Sequence, residues 1–342
     1  MTLSPEPNAP PTGSGPGDDE PVVAEQVLPA PDAPRVAGEL VSEANVGGDP
    51  RARWWTPLAV TAISLAAFIF TSGLMAVVAL VLVHGSINVE ILRDPDSLKQ
   101  VSESRLGLFI VIVIPQIALV IPCIAAALLS PVPTRERLGL VKGNWPVWTW
   151  FAAAAATPLV GMVSGLVVGI FLDESDALKQ MTEIFREHGQ SGFLFPLAMM
   201  IGATPAICEE LLFRGYIQTR LAKSFGPILG VGIASLLFAA FHLDLVHVVA
   251  VFPLGLFLGW VSWQSGSLFP AILGHFVNNV ISVVGVVLAP EDEPEMLALP
   301  AVAFTLGILL AGIAGMAVVA VVSVAYRRSG SPAGPAHQTQ LA

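Results

Sequence analysis

Three short stretches in the second half of this chain carry polar side chains at spacings that can do chemistry, each inside an otherwise apolar run. The first, PAICEELLFRGY (205–216), sets Glu209 beside Glu210 and places Arg214 four residues after the second glutamate. Residues four apart on a helix share a face, so Glu210 and Arg214 can pair as carboxylate and guanidinium. Glu209 is turned about 100° away and is the carboxylate left over for proton transfer. The second stretch, LLFAAFHLDLVH (236–247), holds Phe238 one turn before His242. In the third, ILGHFVNNVIS (272–282), His275 and Asn279 share a face while Asn278 points elsewhere.

A carboxylate, two imidazoles and an amide suit the activation of water. A carboxylate base can take a proton from water, alone or beside a metal held by imidazoles. His and Asn donors can then stabilise the oxyanion of a tetrahedral intermediate. A zinc ion could use His242 and His275 with Glu209; the same set also works as a metal-free glutamate site, and the residues leave both open. Other hydrolase signatures are missing. H-E-x-x-H is absent, GMVSG has the wrong spacing for a G-x-S-G motif, and the G-x-G-D string GPGD (15–18) falls in a Pro-rich acidic tail.

These residues must be positioned in a membrane. The chain is 54% hydrophobic and only 12% charged, about half the charged fraction of a soluble domain. Its mean hydropathy is +0.74. The apolar runs predict an all-α, polytopic bundle of eight transmembrane helices at about 56–83, 105–130, 147–172, 192–222, 226–243, 246–263, 268–289 and 298–326. Residues 1–53 hold ten prolines and nine acids, which predicts a disordered tail, and 328–342 read the same way. The transmembrane domain is then 54–327, with a catalytic core at about 192–289.

Lysines and arginines divide 11 to 5 between the two sides of this arrangement, which predicts cytoplasmic termini and a multi-pass protein of the cell membrane. All seven tryptophans lie at inner helix ends, as interfacial anchors do. Cys123 and Cys208 read as small core residues, and no basic face points to nucleic acid. Ionisable groups at bilayer depth cost at least about 2.5 kcal/mol each by insertion scales and usually mark function. Counting from a helical hairpin turning near Ser224–Phe225 puts Glu209 and His242 at one depth. His247, five residues from His242, is read as an interfacial residue beside Asp244, poorly spaced to share a metal with His242 on one helix face.

The three stretches together resemble the CAAX prenyl endopeptidase and bacteriocin-processing membrane proteins, the Abi or CPBP family. Its signature E-E-x-x-x-R, F-x-x-x-H and H-x-x-x-N occurs here in order, as Glu209-Glu210…Arg214, Phe238…His242 and His275…Asn279. RERLGL (135–140) is similar to an early loop of the family, and the resemblance covers about 130–290. It implies an eight-helix intramembrane endopeptidase whose cavity opens to the cytoplasmic side. By the same resemblance Glu209 activates water with help from His242, His275 and Asn279 bind the oxyanion, and Glu210 and Arg214 hold architecture or substrate. The implied substrate is a peptide or protein, lipidated or membrane-bound. A reading from another class also stands at this point: a non-catalytic membrane protein, such as an immunity factor, a scaffold or a proton-coupled carrier.

Overall fold

Apolar segments with no polar partner for their backbone must close their own hydrogen bonds in a bilayer, and helices do so. The computed structural model describes residues 53–86, 88–289 and 299–326, and the regular elements in these segments are all helices. The expectations for the two tails, and for the cations among them (Arg35, Arg51, Arg327 and Arg328), lie outside the described residues. The helices are α1 (Trp55–His84), α2 (Val89–Arg93), α3 (Pro95–Glu103), α4 (Arg105–Leu128), α5 (Thr134–Arg137), α6 (Trp148–Phe171) and α7 (Asp176–His188). They continue as α8 (Leu194–Glu210), α9 (Thr219–Phe225), α10 (Pro227–Ala240), α11 (Leu245–Ser265), α12 (Phe269–Leu288) and α13 (Leu299–Ala325).

Seven helices among the described residues are long and apolar enough to cross a membrane. The protein is therefore a multi-pass helical membrane bundle. All eight expected segments are found, but two differ in form. The segment expected at 226–243 stops at Ala240 after 14 residues, about 21 Å of helix against a hydrocarbon core of roughly 30 Å. His242 consequently stands in the turn that follows it, where Leu243 takes a positive φ of 59°. The segment expected as one helix over 192–222 is a composite. An amphipathic α7 enters it through a π-helical turn, Gly189–Phe193, with Gly192 at φ +80°, a conformation that favours glycine. A second π-helical stretch, Leu211–Gln218, separates α8 from α9.

Local chemistry explains the joints. Gly226, at φ +85°, reverses the chain between α9 and α10, and Pro227 opens α10, one residue beyond the expected turn. Ser104, Ser175 and Asp244 cap α4, α7 and α11 through their side chains. In space α4 lies against α1 and α8, α12 packs on α6 and α8, and α10 pairs with α11. The short α5 and the loop after it lie under the second π-helical stretch. A Cβ at Gly215 would come within 2.9 Å of the Leu138 carbonyl oxygen, so this contact needs a residue without a side chain.

Candidate active site

Pro205, four residues before Glu209, sets the first constraint on the site. A proline in α8 gives no N–H to the carbonyl four residues back, which is that of Ile201. Asn279 Nδ2 reaches across from α12 and donates to the Ile201 oxygen at 3.1 Å. The amide thus repairs the gap left by the proline and locks α12 to α8 beside the glutamates. Asn279 Oδ1 accepts from Asn278 Nδ2 at 3.2 Å, leaving the second N–H of Asn279 for another acceptor.

The two glutamates end α8 where the helix widens into the π-helical stretch. Such stretches are rare and are frequently found at functional sites. Glu210 is wholly buried, and Arg214 Nη1 donates to its Oε1 at 2.8 Å. Arg214, equally buried, also donates from Nη2 to the Gly255 carbonyl at 3.1 Å. Its guanidinium lies over the Phe238 ring, 4.2 Å from the centroid. The expected Glu210–Arg214 pair is therefore present, and Phe238 is one of its walls.

His275 belongs to the same cluster. Its Nδ1 lies 2.9 Å from Glu210 Oε1. Because a carboxylate only accepts, this contact makes Nδ1 the protonated nitrogen. Nε2 then faces Glu209 Oε2 at 4.0 Å, too long for a direct hydrogen bond. A single water at about 2.8 Å from each would bridge them in a bent geometry. His275 is thus oriented by the buried glutamate and presents its other nitrogen to the more exposed one.

Glu209 is less isolated than the spacing suggests. Gln116 Nε2, from the middle of α4, donates to Glu209 Oε1 at 2.8 Å. The sequence reasoning missed this residue. Its signal was available: Gln116 is the one polar side chain in α4 beyond the terminal Arg105.

His242 is where expectation and structure part furthest. Its ring meets Phe238 edge-on at 5.2 Å and His247 at 4.4 Å between centroids, and Nδ1 lies 3.2 Å from the Phe238 carbonyl. Among the described contacts none joins it to Glu209 or His275 directly; Phe238 stands between, 5.8 Å from the His275 ring. The expected spans put His242 inside one helix and His247 at the start of the next; the structure keeps His247 in α11 but moves His242 into the turn, and the two rings meet there. The turn at 241–244 separates them, and Asp244 caps the helix bearing His247 by accepting from its N–H at 2.9 Å.

No group of three His, Cys, Asp or Glu side chains among the described residues is arranged to hold a metal ion. Glu209, His242 and His275 therefore do not fit a zinc centre, which takes three protein ligands in a catalytic site. On the α9 side a cavity of about 280 Å³ runs to Arg214, lined among others by Arg137, Gln218, Lys223 and Ser267.

The family model for Rce1-like type II CAAX prenyl endopeptidases matches residues 191–281. That segment holds Glu209, Arg214, His242, His275 and Asn279, so the resemblance read from the motifs is borne out where they lie. No curated protein and no solved structure matches the chain.

Proposed function

We propose that this protein is an intramembrane endopeptidase in which Glu209 is the base that activates water. One observation carries the reading: a carboxylate oxygen of the partly exposed Glu209 faces a buried imidazole, His275, whose orientation Glu210 fixes. The similarity of this segment to a protease family supports it.

The chemistry follows from the donors and acceptors. Glu209 takes a proton from water, and the oxygen attacks the carbonyl carbon of the scissile peptide bond. The carbonyl π pair moves onto oxygen. That oxyanion accepts hydrogen bonds from the free N–H of Asn279 and from His275 Nε2, which donates when the ring is protonated between its two carboxylates. Collapse of the intermediate breaks the C–N bond, and the protonated Glu209 delivers its proton to the leaving nitrogen. His242, one turn from Phe238, assists at the edge of the site. Glu210 and Arg214 hold the architecture. No step is routed through a metal.

The substrate is a peptide or protein that reaches the site from the bilayer, lipidated or membrane-bound. The excess of Lys and Arg on one side supports a cell-membrane location with both termini cytoplasmic. The test is cleavage of a quenched fluorescent prenyl-peptide panel by the purified protein in detergent, with and without chelator. Glu209→Gln is expected to lower the rate by about 10²–10⁴-fold with the fold retained, and wild-type cleavage is expected to survive chelation. Unchanged cleavage by a folded Glu209→Gln protein would sink the glutamate mechanism.

A further inference from the structure

α4 is a transmembrane helix with one amide in its middle. A polar residue in such a place is commonly interhelical glue, and glue has its own requirement: both ends of the amide should be satisfied by neighbouring helices. Gln116 does not behave that way. Its Nε2 donates to Glu209 Oε1 at 2.8 Å, while its Oε1 is buried and accepts from nothing among the described residues. An orphaned buried acceptor costs about 1–3 kcal/mol, so each one calls for a reason.

The consequence for Glu209 is geometric. A carboxylate free of partners rotates about its last bond, and either oxygen can serve as the base. With one oxygen held by Gln116, that rotation is restrained. The oxygen on the His275 side is then the one Gln116 does not hold, Oε2 here, 4.0 Å from Nε2. The charged and titratable groups around Glu209 come from elsewhere in the bundle: His275 from α12, Glu210 and Cys208 from α8, and Arg214 from the π-helical stretch. From α4 the only charged residue is Arg105, at the far end of the helix. Gln116 therefore acts on Glu209 by direction, adding no charge.

We propose that Gln116 is a positioning residue of the reaction, which by donating to Glu209 Oε1 commits Oε2 to take the proton from the attacking water on the His275 side. The inference rests on the endopeptidase reading above.

The test uses the full-length protein in detergent with the same prenyl-peptide panel, and compares Gln116→Leu, Gln116→Glu and the packing control Gln264→Leu. Gln264 is another buried glutamine, in α11, whose Oε1 has no partner among the described residues. Gln116→Leu is expected to lower kcat about ten- to a hundredfold, as misplacement of a reacting group does, with KM nearly unchanged. Gln116→Glu sets a second carboxyl against Glu209. Two such groups cannot both ionise readily, so the acidic limb of the kcat/KM profile should move to higher pH. Gln264→Leu should move neither.

A second readout needs no turnover. In pH-difference infrared spectra, the carboxyl band that disappears in Glu209→Gln should shift in Gln116→Leu. Wild-type kcat in Gln116→Leu, with an unmoved acidic limb in Gln116→Glu and an unshifted band, would overturn the proposal and leave the peptidase reading intact. A shifted band in a protein that cleaves no peptide of the panel would instead sink the peptidase reading, and with it the catalytic role of Gln116, while keeping the contact.

Discussion

Glu209 and Glu210 are sequence neighbours with the same side chain, and the bundle treats them as opposites. Glu210 is wholly buried and is held by Arg214 and His275. Glu209 keeps some exposure, accepts from one neutral amide, and has an oxygen facing an imidazole at 4.0 Å. One carboxylate is neutralised by a full charge that one carbonyl and one aromatic ring hold in place; the other is only steered. In the proposed mechanism, the difference is how a membrane fold keeps a base reactive: the cation goes to the carboxylate that does not react, and a neutral amide orients the one that does.

The largest expected effects come from exchanging the two roles. Glu210→Ala or Arg214→Ala leaves a buried charge unpaired, which costs about 3–5 kcal/mol. Loss of the folded fraction in detergent by thermal unfolding should therefore accompany loss of activity. Glu209→Gln should remove activity while the melting temperature stays within a few degrees of wild type. If Glu210→Ala melted like wild type, the contrast between an anchoring and a reacting carboxylate would collapse.

Arg214→Lys sharpens the comparison. A lysine supplies the charge but not the fork that reaches both Glu210 Oε1 and the Gly255 carbonyl, so it should recover part of the stability lost in Arg214→Ala. Full recovery would show that charge alone holds Glu210.

A smaller effect is expected on the wall of the Glu210 side. At Gly259 an added Cβ would come within 2.7 Å of Gln218 Oε1 and 3.0 Å of a Val231 methyl. Gly259→Ala should therefore destabilise by about 1–3 kcal/mol, the cost of overpacking. It should reach activity only through stability. A large fall in kcat with an unchanged melting temperature would mean that the two sides are coupled more tightly than their hydrogen bonds indicate.

The glutamate–arginine pair, the shared face of His275 and Asn279, and the reversal near residue 225 were legible because each depends on contacts within one helix or on a turn residue. Periodicity and glycine chemistry are local, and the sequence carries them directly. The carbonyl that Pro205 leaves unbonded, that of Ile201, is fixed by the chain, while the residue that bonds it, Asn279, lies on another helix. His242 was misplaced for a related reason. Reading 226–243 as one span put it inside a helix, and the short α10 with its turn at Leu243 leaves it in the turn instead, its ring against that of His247.

By itself the sequence determined that this is a polytopic helical membrane protein and that Glu210 must be paired, since hydrophobic runs and i,i+4 spacing are properties of a single segment. Only the tertiary structure decided what Glu209 meets. Gln116 lies 93 residues away, and no local periodicity encodes which face of α4 turns toward α8. That choice is made by packing among helices, where a lone amide in lipid has no partner and one against a carboxylate does.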